Sequence, residues 1–223
     1  MSTIYLSQNA DKLLQNYLLE QGHQLTRIQD AGLVYPEIGT HADIYMCKLG
    51  TEPESPVFHP NEQNKLSLGY KYPENVKYNG VCMGNYFIHN LKWTAPDLLH
   101  KIQQLGFTPL NVKQGYTKCN MVVVNARAAI TSDRGIYEKL RQQNDLKLLL
   151  IAPGYVRLNN FPYGFLGGAS GRVENEIIFN GNLREHPNYK EIIGFIEAEE
   201  LKVKYFEPYP LEDIGSIIEW RKK

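Results

Sequence analysis

Gly80-Val-Cys-Met-Gly-Asn-Tyr-Phe-Ile-His89 reads as two short apolar runs folded about a tight Gly-Asn turn. Thr94-Ala-Pro-Asp97 follows with capping-box spacing. Leu98, Leu99, Ile102 and Leu105 then fall at helical intervals, and Gly106 stops the helix. The stretch predicts a strand, a hairpin, a second strand and a capped helix, with a further strand to complete the unit.

Working outward, the same order recurs. Cys119-Asn-Met-Val-Val-Val leads into Ala128-Ala-Ile, the Ser132-Asp133 cap, a helix with Ile136, Tyr137 and Leu140, and a strand from Leu146 to Ile151. Gly167-Gly-Ala-Ser-Gly-Arg-Val leads into Ile177-Ile-Phe, the His186-Pro187 helix start, Ile192, Ile193 and Ile196, and a strand from Leu201 to Phe206. At the N-terminus, Ile4-Tyr-Leu precedes a helix with Leu13, Leu14, Tyr17 and Leu18, closed by Gly22 and followed by strand Leu25–Ile28, but no leading strand. At the C-terminus, Asp213-Ile-Gly-Ser-Ile-Ile reads as a strand with no helix after it. The two ends complete each other if the last strand pairs with the N-terminal unit. A less regular unit starts at His41-Ala-Asp-Ile-Tyr-Met-Cys and runs through Pro53, Pro56, Pro60 and Pro73, where no long helix is predicted. The units start roughly 40–50 residues apart, a spacing typical of repeat architectures. The expectation is an α/β fold: one domain over residues 1–223, a five-bladed α/β propeller of ββαβ units closed by the C-terminal strand.

Composition restricts the function. The 223 residues carry 24 Lys+Arg against 24 Asp+Glu, so the chain is neutral, and at 43% hydrophobic it has the material for a folded core. Zero net charge argues against broad electrostatic binding to nucleic acid or to an anionic membrane. The N-terminus has no signal-peptide pattern, and no apolar run approaches the ~20 residues of a membrane helix. Three cysteines, Cys47, Cys82 and Cys119, make neither a disulfide framework nor a CxxC zinc pair. The expected location is the cytoplasm, with no metal and no organic cofactor. The fifteen tyrosines read as half-buried packing residues.

If the leading strands converge, their first residues share a site: His41, Asp43, Gly80, Cys119, Gly168, Ser170 and Asp213. A thiol, an imidazole and two carboxylates are the parts of an activated nucleophile. His41 and Asp43, two apart on a strand, would face the same cavity. Each has a plainer reading. Cys119 at the start of a strand is first a small buried hydrophobe. His41 could be a turn histidine and Asp213 a turn acid. Lys118, alternating with Cys119 on a strand, would face away and help little. Asp133 reads as a helix cap rather than a catalytic acid.

Three segments resemble the pentein superfamily of guanidine-modifying enzymes and a bacterial group placed in that fold: His41-Ala-Asp43, Gly115-Tyr-Thr-Lys118-Cys119 and, more weakly, Asp213-Ile-Gly-Ser. With the acidic segment last, this chain would be circularly permuted. The resemblance implies Cys119 as nucleophile, His41 as general acid/base, Asp43 holding a guanidinium and Asp213 as a second acid, with Gly168 and Ser170 beside the substrate. The partner would be a small cationic guanidine or amidine. Phe165-Leu-Gly-Gly-Ala-Ser stands where familiar deiminases carry an Arg-Asp segment. Two readings follow: a cysteine-dependent hydrolase or transferase whose substrate is not arginine-like, or a non-catalytic binding module for a protein or small molecule.

Overall fold

Apolar runs of three to five residues become strands here, and runs with helical spacing become helices of seven to nine. The structure, a computed structural model, describes residues 1–222. The chain opens with β1 (Thr3–Ser7), α1 (Lys12–Glu20) and β2 (Gln24–Ile28). Asp11 caps α1 by accepting from Leu13 N at 2.8 Å, and Leu14 and Leu18 are the buried face. After a loop come α2 (Ala42–Tyr45), β3 (Cys47–Lys48), β4 (Val57–Phe58) and α3 (Glu62–Leu66). The next unit is β5 (Val81–Met83), β6 (Tyr86–His89), α4 (Pro96–Gln104) and β7 (Thr108–Asn111). It is followed by α5 (Thr117–Asn120), β8 (Met121–Val123), β9 (Ala128–Thr131), α6 (Arg134–Leu140) and β10 (Lys147–Leu150). The chain ends with β11 (Ser170–Val173), β12 (Glu176–Phe179), α7 (Tyr189–Glu197), β13 (Lys202–Lys204) and β14 (Ile218–Trp220).

Three units share one local plan. β5, β8 and β11 each run antiparallel to the next strand, and β6, β9 and β12 each run parallel to a strand reached through a helix. A parallel pair needs such a crossover, which is why α4, α6 and α7 sit where they do. β14 supplies the antiparallel partner of β1, with Thr3 opposite Trp220, and so joins the chain's ends. The crossover helices α4, α6 and α7 bury their apolar stripes. Leu98 and Ile102 of α4 are fully buried, and each such side chain contributes ~1.5–3 kcal/mol.

The expected five-bladed ring is corrected by the hydrogen bonding. The fold is mixed α/β with five separate sheets, four of three strands and one of two, and no closed barrel or propeller ring is found among the described residues. The repeat fails first at β3–β4, a two-residue pairing with no parallel third strand. The proline-rich connection explains this, since each proline removes a donor and fixes φ. Two local expectations change as well. α4 is capped at Ala95 without a side-chain bond, because the Thr94 hydroxyl is engaged by His89 at 2.7 Å instead. His41 and Cys119 do not begin strands: His41 is the N-cap residue of α2, and Cys119 lies within α5.

Candidate functional site

Helical turns, not strand alternation, position the chemistry. α2 and α5 are single turns, and each is followed at once by a strand. The N-terminal amides of such a turn lack intrahelical partners. In α5 the Lys118 and Cys119 amides both donate to Asn79 Oδ1, at 2.8 and 3.3 Å. The Asn79 Nδ2 donates to the Asp43 carbonyl at 3.2 Å and to Cys119 Sγ at 3.3 Å. This fully buried asparagine therefore clamps α2 to α5.

The segment before β14 completes the site. Gly215 has φ of +70°, and a Cβ there would lie 2.0 Å from the Cβ of His41, so only glycine lets the chain pass this close. Gly168 is equally constrained: an added Cβ would lie 2.0 Å from Asp213 Oδ1.

His41, Cys119 and Asp213 each offer a ligand or reacting atom, and these atoms lie within 4.8 Å of one another. His41 Nδ1 is 3.8 Å from Asp213 Oδ1. Asp43 joins them, its Oδ2 accepting from the Cys119 thiol at 3.1 Å and from the Ser216 hydroxyl at 2.6 Å. Lys118 Nζ donates to Ser216 Oγ at 3.0 Å, so a buried ammonium reaches Asp43 through one hydroxyl. Asp213 is fixed by the backbone N–H groups of Phe165 and Gly215, at 2.9 and 3.0 Å. Within this site two buried atoms have no hydrogen-bond partner, His41 Nδ1 and Asp43 Oδ1.

Burial dominates the electrostatics. It pushes His41 down to about 4, against the opposing pull of Asp43, so the ring is neutral at pH 7. It pushes Asp213 up to about 6, although two backbone donors oppose the shift. Asp43 is raised by burial and held back by His41 and Lys118. Lys118 is lowered by burial, with Asp43 resisting. Cys119 is pushed well above the usual thiol value by burial and then by the Asp43 and Asp213 charges. The resting pair is thus a thiol and a neutral imidazole, not the thiolate and imidazolium the residue types suggest, and the thiol proton faces Asp43.

Of the residues expected from sequence, His41, Asp43, Cys119 and Asp213 come together. Gly168 supports them through its backbone, donating to the Cys119 carbonyl at 2.8 Å. Ser170 does not join: its hydroxyl turns to Gly167 O at 3.4 Å, and it lines a cavity of about 60 Å³ with Cys47, Lys48, Cys82 and Lys118. Sequence reasoning missed Asn79 and Ser216 and dismissed Lys118. Ser216 lay inside the quoted Asp213-Ile-Gly-Ser segment. Lys118 was discounted by a strand rule that does not apply to a helical turn. Asn79 gave no local signal.

A family model described as a family of unknown function, DUF6873, matches residues 5–218. The chain belongs to that family. No curated protein and no solved structure matches it. The constellation is therefore read from its own chemistry. A thiol, an imidazole and two carboxylates can carry nucleophilic catalysis. The His41, Cys119 and Asp213 donors are also of the type a zinc ion takes. Among the described residues, no helix is long and apolar enough to cross a membrane.

Proposed function

We propose that the chain is a cysteine-dependent hydrolase acting on a small amidinium or guanidinium compound. The observation that carries this reading is the pair of unpartnered buried atoms, Asp43 Oδ1 and His41 Nδ1, beside the Cys119 thiol. A buried acceptor without a partner is costly, and the N–H groups of a planar cation would satisfy Asp43 and Asp213 together. Burial and then the two acids raise the Cys119 thiol, and the cation offsets the acidic part of that shift, so substrate binding favours the thiolate.

The thiol proton passes to neutral His41 as Sγ bonds to the amidine carbon. His41 then gives that proton to the departing nitrogen as the C–N bond breaks, leaving a thioimidate from an amidinium or a thiouronium from a guanidinium. Water attacks the same carbon and yields its proton to His41. The S–C bond breaks, and the thiol recovers that proton. Lys118 and Ser216 act as positioning residues that oppose the burial raising Asp43. A cytoplasmic location, where three buried free thiols stay reduced, fits this chemistry.

Chloroacetamidine tests the reading. Its chloride leaves as an S–C bond forms, and mass spectrometry should place a single adduct on Cys119, absent in Cys119→Ala. Equal labelling of Cys119→Ala, or of Cys47 and Cys82, overturns it. One observation favours a non-catalytic binding module instead. Cys119 is only 3% exposed, so the closed form does not present the thiol to solvent. A chain that binds amidines reversibly yet never forms the adduct would be that module.

A further inference from the structure

The closed site has an aromatic cover. Tyr35 and Tyr116 share a hydroxyl–hydroxyl bond of 2.7 Å, and Tyr116 donates onward to Asn75 at 3.0 Å. The ring of Tyr116 lies 6.5 Å from that of Phe165, whose N–H holds Asp213. Tyr116 also precedes the helical turn that carries Cys119. Burial raises both tyrosine hydroxyls. Outward from these three, Tyr70 and Phe161 pack on Tyr35, Tyr72 packs on Tyr116, and Tyr163 packs on Phe165. These four outer rings are 43–51% exposed, an unusual outlay of aromatic surface at one place. The rings come from four separate loops, two of them tied by Asn160 donating to Glu37 at 2.6 Å.

We propose that this cover is a cation–aromatic cage and that the natural ligand is an amidinium or guanidinium carrying an aryl or bulky apolar substituent, with no carboxylate of its own. The proposal rests on the amidinium reading of the site beneath. Charge complementarity selects the occupant. Asp43 and Asp213 take the N–H edges, ring faces attract the cation and accept the apolar group, and the buried acids repel a ligand carboxylate. The Tyr35–Tyr116 bond opens to admit it.

Calorimetric binding of benzamidine, guanidinium, arginine and benzamide separates the outcomes. Benzamidine should bind about tenfold more tightly than guanidinium or arginine, and neutral benzamide should not bind. Tyr35→Leu and Phe165→Leu should abolish the benzamidine advantage, weakening benzamidine more than guanidinium. Tyr35→Phe, which keeps the ring, should retain the advantage and so controls for folding. Arginine binding as tightly as benzamidine, or benzamide binding equally, overturns the cage. Aryl preference without a Cys119 adduct leaves the cage standing and removes the hydrolase. An adduct without aryl preference does the reverse.

Discussion

His41 and His89 are both buried, at 3% and 0% exposure, and burial lowers both to about 4. Their partners separate them. His89 uses both ring nitrogens, Nδ1 with the Thr94 hydroxyl at 2.7 Å and Nε2 with the Gly115 carbonyl at 3.0 Å. It ties the end of β6 to the loop before α5. His41 leaves Nδ1 unpartnered, with Asp213 at 3.8 Å and a thiol beside it. A depressed pKa therefore does not distinguish the candidate catalytic histidine from the structural one in this protein. Unmet hydrogen-bonding capacity next to a nucleophile does.

The largest expected effect separates the two directly. His41→Gln should slow the inactivation of Cys119 by chloroacetamidine by ~10²-fold or more, the usual contribution of general acid–base catalysis. His89→Gln should leave the rate per folded molecule within about twofold. Inactivation kinetics with unfolding measured in parallel decide the matter, and equal rates for the two variants would erase the distinction.

Stability should show the opposite ranking. His89→Ala removes two hydrogen bonds, strands the Gly115 carbonyl and opens a cavity, so urea unfolding should report a loss of about 2–4 kcal/mol. His41→Ala removes a ring whose Nδ1 had no bond to lose, and about half that loss is expected. A larger loss at His41 would mean that the site itself holds the fold together.

The same contrast explains what the sequence made legible. The four candidate side chains are legible because each belongs to a short chemical motif. The local units were readable too, since apolar runs, Asp133 and Gly106 mark strands and helix ends through neighbours only a few residues away. Spacing alone misled on ring closure, because a ring needs hydrogen-bonded pairing between sheets that the described strands do not make, and β3–β4 is cut short by prolines. Lys118 was misjudged because α5 replaces the expected strand with one helical turn. Asn79 was invisible, for the amides it satisfies lie some 40 residues downstream in the chain. The aromatic cover was hidden among tyrosines that composition alone marks as packing residues.

A pH measurement sharpens the comparison further. Both histidines have folded values near 4, below the ordinary 6.5, so the unfolded chain takes up the proton first. Their contribution is complete above pH 6.5 and is lost as pH falls toward 4. Asp213 runs the other way, because its folded value of about 6 lies above the ordinary 3.8. Its contribution is complete below pH 3.8 and is lost as pH rises through 6. Between pH 6 and 4 the aspartate therefore offsets part of the histidine loss. Asp213→Asn should lose stability more steeply than wild type over that window, by roughly 2–3 kcal/mol in total. Asp43, raised as well, acts in the same sense in both proteins. Parallel stability curves would show that Asp213 is not protonated with the site intact.

The smallest effect belongs to an acid with every role accounted for. Asp133 caps α6 through Ile136 N at 2.8 Å and accepts from Gln114 Nε2 at 3.0 Å. Asp133→Ala should cost ~1 kcal/mol, as the loss of an N-cap does, with Cys119 labelling unchanged. Gln114 also accepts from the Tyr116 amide at 3.1 Å, which places Asp133 two contacts from the aromatic cover. If Asp133→Ala instead altered the labelling rate, the cover would be held shut in part from α6. Satisfied partners would then mark a residue that acts on the site from a distance, and the rule drawn from the two histidines would apply only to groups touching the thiol.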